Sequence, residues 1–466
     1  MSQKKENIIL LLSLLITTGV ISAGLWWLLG HRQPAKVADS NPAKIAVTND
    51  VASDPSTGSK ILFQRELNPE KQAAAKAIAE ENYPEAESLL KQSLNKQHND
   101  PEALIYLNNA QIGNSQAYSI AVPVPIGTEE TSAKEILRGV AQAQSEINQQ
   151  GGINNIPLKV LIVNDNNDPQ TAKQVAQELV KNQDVLGVVG HFSSGVTLAT
   201  APIYEQNKLV AISPSSTSIE ISDAGDYIFR TVPSDRFTSS ALAKYFLERL
   251  KLREAVIIYN SQSPYSRSLQ ETFTTDVVSN GGEVVMEVDL SENNFNPAQT
   301  LKTAKERGAK VLVLLNDSTI VDKAYLLMQL NNRNLPLLGG DSLYKPQTLE
   351  IVGEKAQGLV LGVPWHALGS ANPQFSAAAR SLWGGDVNWR TAMAYDATQA
   401  LAKGLARNPS RSGIQVTLSE SGFNVSGASG SIKFLKSGDR NAGVQLLEVQ
   451  PGDRSSYGYD FVPLKP

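Results

Sequence analysis

The sequence predicts an α/β protein of two Rossmann-like lobes, and three observations carry the prediction. From Tyr118 onward short apolar runs alternate with helical stretches, a pattern that produces parallel sheets covered on both faces. The strand candidates are too many for one comfortable core, so the region divides into two lobes. The third observation is the stretch 185–197, VLGVVGHFSSGVT, in which an apolar run stops at Gly190 and a helical pattern begins beyond Gly195. Such a turn sets hydroxyls and unpaired backbone N–H groups at a helix N-terminus, which suits a carboxylate or phosphate. Ligands of open α/β sheets sit at the carboxyl ends of the strands. The chain therefore reads as built to hold a small anionic group without using a cation.

Composition agrees with this architecture. The 466 residues are 41% hydrophobic and 19% charged, which allows two or three units with sizeable cores. A net charge of −4 and the lack of a basic cluster set nucleic acid aside as a partner. The absence of cysteine excludes disulfides, thiolate zinc sites, a cysteine nucleophile and a lipid-modified N-terminal cysteine. His31, His98, His191 and His366 share no metal-ligand spacing, so no metal is predicted.

Taken in order, the first element is an uncharged apolar run at 8–29. At ~1.5 Å per residue it spans a hydrocarbon core of about 30 Å. Lys4 and Lys5 precede it, and Trp26 and Trp27 close it, where indoles favour the interface. A cleaved secretory signal is the alternative, with Ile21-Ser22-Ala23 as the cleavage site. Apolar sequence continuing to Leu29 favours an uncleaved transmembrane anchor, 1–32. Either reading exports the rest of the chain. His31, Arg32 and Lys36 weaken the charge asymmetry, so orientation rests partly on the nature of the exported domain. Residues 33–66, rich in Pro, Ser, Asp, Ala and Thr without a period, read as a flexible linker.

A small α-helical segment follows at 67–115. Ala73, Ala77, Tyr83, Ala86, Leu90 and Leu94 space as helical faces, Asn99-Asp100-Pro101 breaks, and 103–107 restarts. The stretch NYPEAESLLKQSLNKQHNDPEALIYLNNA resembles one tetratricopeptide repeat and the start of another. A helical hairpin acting as a spacer is the simpler reading, since a lone repeat has no neighbours to stack on.

Strand candidates then fall at 119–124, 158–163, 185–189, 209–212, 255–259, 284–288, 311–315 and 359–363. Helical stretches lie between them, at 133–149, 171–182, 239–250, 266–280 and 319–332. The segment FRTVPSD, 229–235, interrupts the rhythm with a strand, a proline and a cap-like Asp, and reads as the crossing between lobes. Trp365 and His366, after Gly362-Val363-Pro364, read as the return crossing. Lobe 1 is then 118–234 with about 364–430, and lobe 2 is 235–363 with about 431–466.

No GxxxxGK[ST] loop, no GxGxxG after the first strand and no GxSxG elbow occurs. No nucleophile–base pair stands at catalytic spacing either. These absences favour a binding module over an enzyme, with no catalytic residue and no cofactor. Five ordered landmarks sharpen the reading: LRGVAQAQSEINQQGGI (137–153), VGHFSSGVTLATAPIYE (189–205), AISPSSTS (211–218), FRTVPSD, and LLGGDSLY (337–344). With them the chain, from about 119 to 459, resembles the leucine/isoleucine/valine-binding family of type I periplasmic binding proteins. The resemblance implies the type I periplasmic binding fold, two lobes joined by a multi-strand hinge. It also implies a small-molecule ligand, an amino acid, captured for an ABC importer, with ABC permease subunits as partners. The binding domain would stand on the extracytoplasmic (periplasmic) side, held to the membrane by the N-terminal helix.

Family position assigns the ligand contacts. Ser194 matches the serine that binds the ligand α-carboxylate through hydroxyl and backbone; a helix N-cap is its plainer role. Ser215 would give the same carboxylate a backbone contact and Thr217 a hydroxyl contact, and both also suit an ordinary turn. Pro214 stiffens that turn. Asp341 aligns with the acid that pairs with the ligand α-ammonium, and otherwise reads as a cap. Tyr265 matches an aromatic that closes over the ligand, or packs on the lobe surface. Asp317 and Ser318 face the same cleft by topology. Asp317 stands where relatives often carry an aromatic, which makes the side-chain pocket more polar. His191 is read as structural support beside Ser194, and Tyr395 as core. The loop VPVPIGTEETSAKE, 122–135, departs from the family: Gly127-Thr128 stands in for a Ser/Thr-Gly turn, and Ser132 for an aromatic. With Glu129 and Glu130 nearby, a branched aliphatic ligand is less secure than the α-amino-acid part.

Two other functions compete. One is a ligand-binding sensor or receptor subunit, against which the lack of an output domain counts. The other is a ligand-free regulator of cell-envelope enzymes, of the kind that fuses tetratricopeptide-like helices to this fold. Retention of Ser194, Thr217 and Asp341 favours binding.

Overall fold

The computed structural model describes residues 54–66 and 68–465. The expected anchor and most of the expected linker lie outside the described residues. Among the described residues, no helix is long and apolar enough to cross a membrane.

Strands β1 (Tyr118–Val124), β2 (Leu158–Asn164), β3 (Val185–Val189), β4 (Ala211–Ser213) and β5 (Ile228–Arg230) form a parallel sheet in the order β2-β1-β3-β4-β5. Tyr118 stands opposite Leu158, and Val188 opposite Ala211. Both faces are covered, so residues such as Ile120, Ala121 and Val122 are all fully buried. That double burial explains why these strands read as continuous apolar runs rather than alternating ones.

A second sheet repeats the plan. It contains β6 (Glu254–Tyr259), β7 (Glu283–Asp289), β8 (Val311–Leu314), β9 (Leu337–Gly339) and β10 (Val360–Val363), all parallel. A separate hairpin, β11 (Val425–Gly427) and β12 (Gly430–Ile432), intervenes in the chain. Then β13 (Gln445–Pro451) and β14 (Tyr459–Pro463) add antiparallel, giving the order β14-β13-β10-β9-β8-β6-β7. In both sheets the strand order reverses beside the first strand, which opens a crevice at the carboxyl ends.

The helices are α1 (Pro69–Ala79), α2 (Tyr83–Lys96), α3 (Pro101–Ile112), α4 (Glu130–Gln149), α5 (Pro169–Lys181), α6 (Ser194–Gln206), α7 (Asp235–Lys244), α8 (Pro264–Ser279), α9 (Pro297–Glu306), α10 (Val321–Asn331), α11 (Pro373–Trp383), α12 (Trp389–Arg407) and α13 (Arg411–Ser419). Several share one start signal, a capping side chain followed by proline at the first helical position. Asn68, Asp100, Asp168, Ser263, Asn296 and Asn372 each accept a backbone N–H of the first turn. The cap answers one orphan donor, and proline has none to lose. Helix α12 packs along α4 so closely that a Cβ on Gly139 would stand 2.1 Å from the Thr391 carbonyl oxygen.

The segment 54–112 differs from expectation. Instead of a linker followed by a spacer hairpin, three helices and the stretch before them are fused to lobe 1. Ser56 and Ile162 of β2 exchange N–H···O bonds at 2.8 and 2.9 Å. On the same strand Asn109 accepts the Val160 N–H at 3.1 Å and donates to the Val160 carbonyl at 2.8 Å. Together they close an edge that would otherwise offer unpaired backbone groups. Phe63, Ile105 and Tyr106 are buried in this junction. Lys71 bridges Asp100 and Glu102 at 2.7 Å each, with all three side chains buried. Glu102 also accepts the Leu62 N–H at 2.6 Å and the Tyr106 hydroxyl at 3.0 Å. The linker boundary thus moves from Glu66 back past Ser56, because apolar and strand-edge partners await that stretch.

The crossings tie the lobes. The chain leaves β5 and enters α7 through 231–234. Beside it, the Arg230 N–H donates to the Gly438 carbonyl at 3.0 Å, and the buried Arg230 guanidinium meets Asp439 at 2.6 Å. Residues 431–440 therefore belong with lobe 1, and the last crossing falls between Arg440 and β13 rather than at 430/431. No periodicity marks that segment; the ion pair holds it.

Candidate functional site

The crevice between the lobes is a cavity of about 280 Å³. Lobe 1 supplies Asn167, Pro169, the run Phe192 to Val196, and Ser215. Lobe 2 supplies the loop between β6 and α8, Asp317 to Thr319 after β8, and Asp341 and Ser342 after β9. Trp389 and Arg390, at the start of α12, form the wall near the hinge. The lobes touch around it: Lys345 pairs with Glu129 at 3.1 Å, and the Ile219 N–H donates to Ser268 Oγ at 2.9 Å.

On the lobe 1 side, α6 opens toward the cavity. The amides of Ser194, Gly195 and Val196 have no intrahelical acceptor by position. The serine hydroxyls around them brace the loops rather than stand free. Ser215 Oγ donates to the Phe192 carbonyl at 2.7 Å, and Ser213 Oγ to the His191 carbonyl at 2.7 Å. Ser194 Oγ accepts the Ser218 N–H at 3.2 Å. Beneath, the fully buried His191 ring lies between Asp165 at 2.7 Å and the Tyr204 hydroxyl at 2.8 Å. This network holds the donors of α6 in place before any anion arrives.

Across the cavity stands Asp341, 4% exposed, with Oδ2 lacking any hydrogen-bond partner among the described residues. Burial pushes its carboxyl up to about 6, against the opposing pull of the Arg390 charge and the Tyr265 hydroxyl. The Tyr265 hydroxyl also accepts the Ser342 N–H at 3.4 Å. A Cβ on Gly340 would fall 2.5 Å from that hydroxyl, so only glycine lets the ring sit there. Asp317 is half-buried, and its Oδ1 accepts from Asn260 Nδ2 at 3.2 Å and Thr319 Oγ1 at 2.9 Å.

Of the residues the sequence singled out, Ser194, Ser215, Tyr265, Asp317 and Asp341 meet at the cavity. Thr217 does not line it. It lies behind the wall, 1% exposed, where its carbonyl accepts the Asp235 N–H at 2.9 Å. Asp235, read from sequence as a cap, is fully buried with both carboxyl oxygens unpartnered among the described residues. Burial and the neighbouring Asp341 charge raise it to about 7, opposed by the Ser268 and Thr217 hydroxyls. Tyr395 is partly buried against Phe375, ring centroids 4.8 Å apart, away from the cavity wall.

The expectation of a site without a cation is corrected. Arg390 is 3% exposed, lies against the cavity, and reaches Glu135 at 3.4 Å. Its guanidinium stands 4.3 Å from the Trp389 ring and 5.7 Å from the Phe192 ring. Sequence reasoning passed over both residues because Trp389-Arg390 looks like an ordinary helix start. The available signal was a basic residue in a first turn, where the helix dipole disfavours a cation.

A braced set of amides facing a buried carboxylate across a two-lobed crevice defines a ligand-capturing protein. The chain belongs to the periplasmic binding protein family, whose model matches residues 120–453. Residues 63–117 match the model of the coatomer epsilon subunit. A curated relative, Leu/Ile/Val-binding protein homolog 1 of Brucella abortus, is 26% identical over 246 residues, 52% of this chain and 64% of that protein. The match thus spans under two thirds of that relative. A leucine-binding protein from Thermotoga maritima superposes with a TM-score of 0.67 at 22% identity, over 75% of this chain and 99% of that one. A solute-binding protein of an ABC transporter from Rhodopseudomonas palustris, solved with 3,4-dihydroxybenzoic acid, superposes at 0.65 with 18% identity, over 75% and 96%. The fold is the type I periplasmic binding fold, and the relatives named here are binding proteins rather than enzymes.

Proposed function

We propose that this protein captures a small amino acid in the interlobe cleft, outside the cytoplasmic membrane, and delivers it to the permease of an ABC importer. The observation that carries the reading is the facing pair: α6 amides without an intrahelical acceptor on lobe 1, and on lobe 2 the buried Asp341 carboxylate, whose Oδ2 has no hydrogen-bond partner among the described residues. A zwitterion answers both ends at once. Ser194 and Ser215 would shape the carboxylate seat, Asp341 would take the ammonium, and Tyr265 would close over it. Each charge-assisted bond contributes roughly 1.5–3 kcal/mol, and micromolar affinity needs about 8 kcal/mol, so three or four such bonds suffice after ordering costs. The relatives named for leucine, isoleucine and valine support an amino acid. An aromatic acid, as bound by the Rhodopseudomonas protein, would bring Asp341 no positive charge. The anchor at 8–29 would keep the binding unit at the membrane surface.

Isothermal calorimetry of the full chain against the twenty amino acids tests the reading. One binding site with micromolar affinity for at least one of them is expected. Silence across the whole panel rejects it and leaves the regulator.

A further inference from the structure

Arg390 brings more positive charge to the cleft than its surroundings answer. It sits in the first turn of α12, the end of a helix that repels cations. Its side chain is nearly fully buried, and Nε has no hydrogen-bond partner among the described residues. Among the described residues the one carboxylate it reaches, Glu135, is met only at 3.4 Å, and its other side-chain acceptor is the neutral Asn388 Oδ1 at 3.4 Å. That carboxylate is shared, because the charges of Arg138 and Lys345 act on it too, and burial still holds it above the usual carboxylate range. The Trp389 and Phe192 rings cover the guanidinium and exclude water, but a ring face answers a cation only in part. Arg390 makes its ion pair with Glu135 rather than Asp341, although its charge also acts on Asp341 and opposes the effect of burial there. A buried guanidinium in this state calls for an anion, and a planar carboxylate matches its fork.

Asp317 is the competing determinant, and its position argues the opposite way. It is half exposed and already accepts two hydrogen bonds, so it requires no cation from the ligand. We infer that the cleft selects an amino acid whose side chain ends in a second carboxylate, of the aspartate or glutamate type, and that Arg390 is the residue that reads it. This rests on the amino-acid reading above and deepens it.

The test is calorimetry of the full chain with L-glutamate, L-aspartate, L-leucine and L-lysine, for the wild type and for Arg390→Met and Arg390→Lys. An acidic ligand should bind at least about tenfold more tightly than leucine, the worth of one charge-assisted contact. Arg390→Met should erase that preference, bringing the acidic ligand and leucine to within about threefold of each other, and Arg390→Lys should keep part of it. Thermal melts without ligand establish that each variant is folded; should Arg390→Met unfold, the wild-type panel and Arg390→Lys decide. Leucine or lysine binding the wild type as tightly as the acidic pair overturns the inference and leaves amino-acid capture standing. Failure of all four, with silence from the other sixteen, overturns both.

Discussion

Replacing Asp235 by asparagine should flatten the pH dependence of stability by about 2 kcal/mol between pH 5.5 and 8. The carboxyl is fully buried, neither oxygen has a partner among the described residues, and its pKa is raised from 3.8 to about 7. The raised value means that the folded state holds a proton the unfolded chain has released. Between the two pKa values the folded protein binds more protons, so stability falls as pH rises through that window. From pH 5.5 to about 7 is 1.5 units, and each unit corresponds to about 1.36 kcal/mol, which gives roughly 2 kcal/mol. Above about 7 the loss is complete. Asparagine keeps the shape without the titration, and the Thr217 and Ser268 hydroxyls remain beside it. Urea unfolding of ligand-free wild type and Asp235→Asn at pH 5.5 and 8 measures the difference directly. Asp396, raised to about 6, titrates in both proteins and cancels in the comparison, whereas Asp341 interacts with Asp235 and its titration is part of the difference measured. Parallel profiles for the two proteins would mean that Asp235 is already ionised in the fold at pH 5.5, and would refute the argument.

Four other outcomes are expected. Because an ammonium needs the ionised Asp341, whose value is about 6, ligand affinity should fall by about tenfold from pH 7.5 to 5 by calorimetry, and Asp341→Asn should weaken binding at pH 7.5 with little change in melting temperature. Lys71→Met leaves Asp100 and Glu102 buried without their cation and should cost about 3–5 kcal/mol in urea unfolding; a loss under about 1 kcal/mol would mean that water reaches the pair. Gly139→Ala forces a methyl into the Thr391 carbonyl of α12 and should cost about 1–3 kcal/mol in the same assay; no loss would mean that the two helices part easily.

Much of the fold could be read along the chain. The expected strand at 185–189 coincides with β3, and those at 119–124 and 158–163 differ from β1 and β2 by a residue at an end. These strands are buried on both faces, so their apolar runs need no tertiary context. The strands left unread are of other kinds. β9, β11 and β12 are three residues long, and β13 and β14 are partly buried strands at the antiparallel edge, where polar positions interrupt the run. The stretch before α1 was unread for a similar reason, since Ser56 earns burial only through the β2 edge.

The cleft divides in the same way. Ser194, Ser215, Tyr265 and Asp341 were assigned by family position, and Asp317 by its place after a strand. Thr217 is buried behind the wall, where its carbonyl accepts the Asp235 N–H across the crossing between lobes. Alternation, the number of strands and the turn after 185–189 were enough to determine two lobes with parallel strands and a crevice at their carboxyl ends. Only the tertiary structure decided which charges stand unanswered there. Arg390 meets Glu135 across 255 residues of chain, and Asp235 loses its water to neighbours from both lobes. Charge energetics depend on burial and on partners distant in sequence, and no local pattern records either.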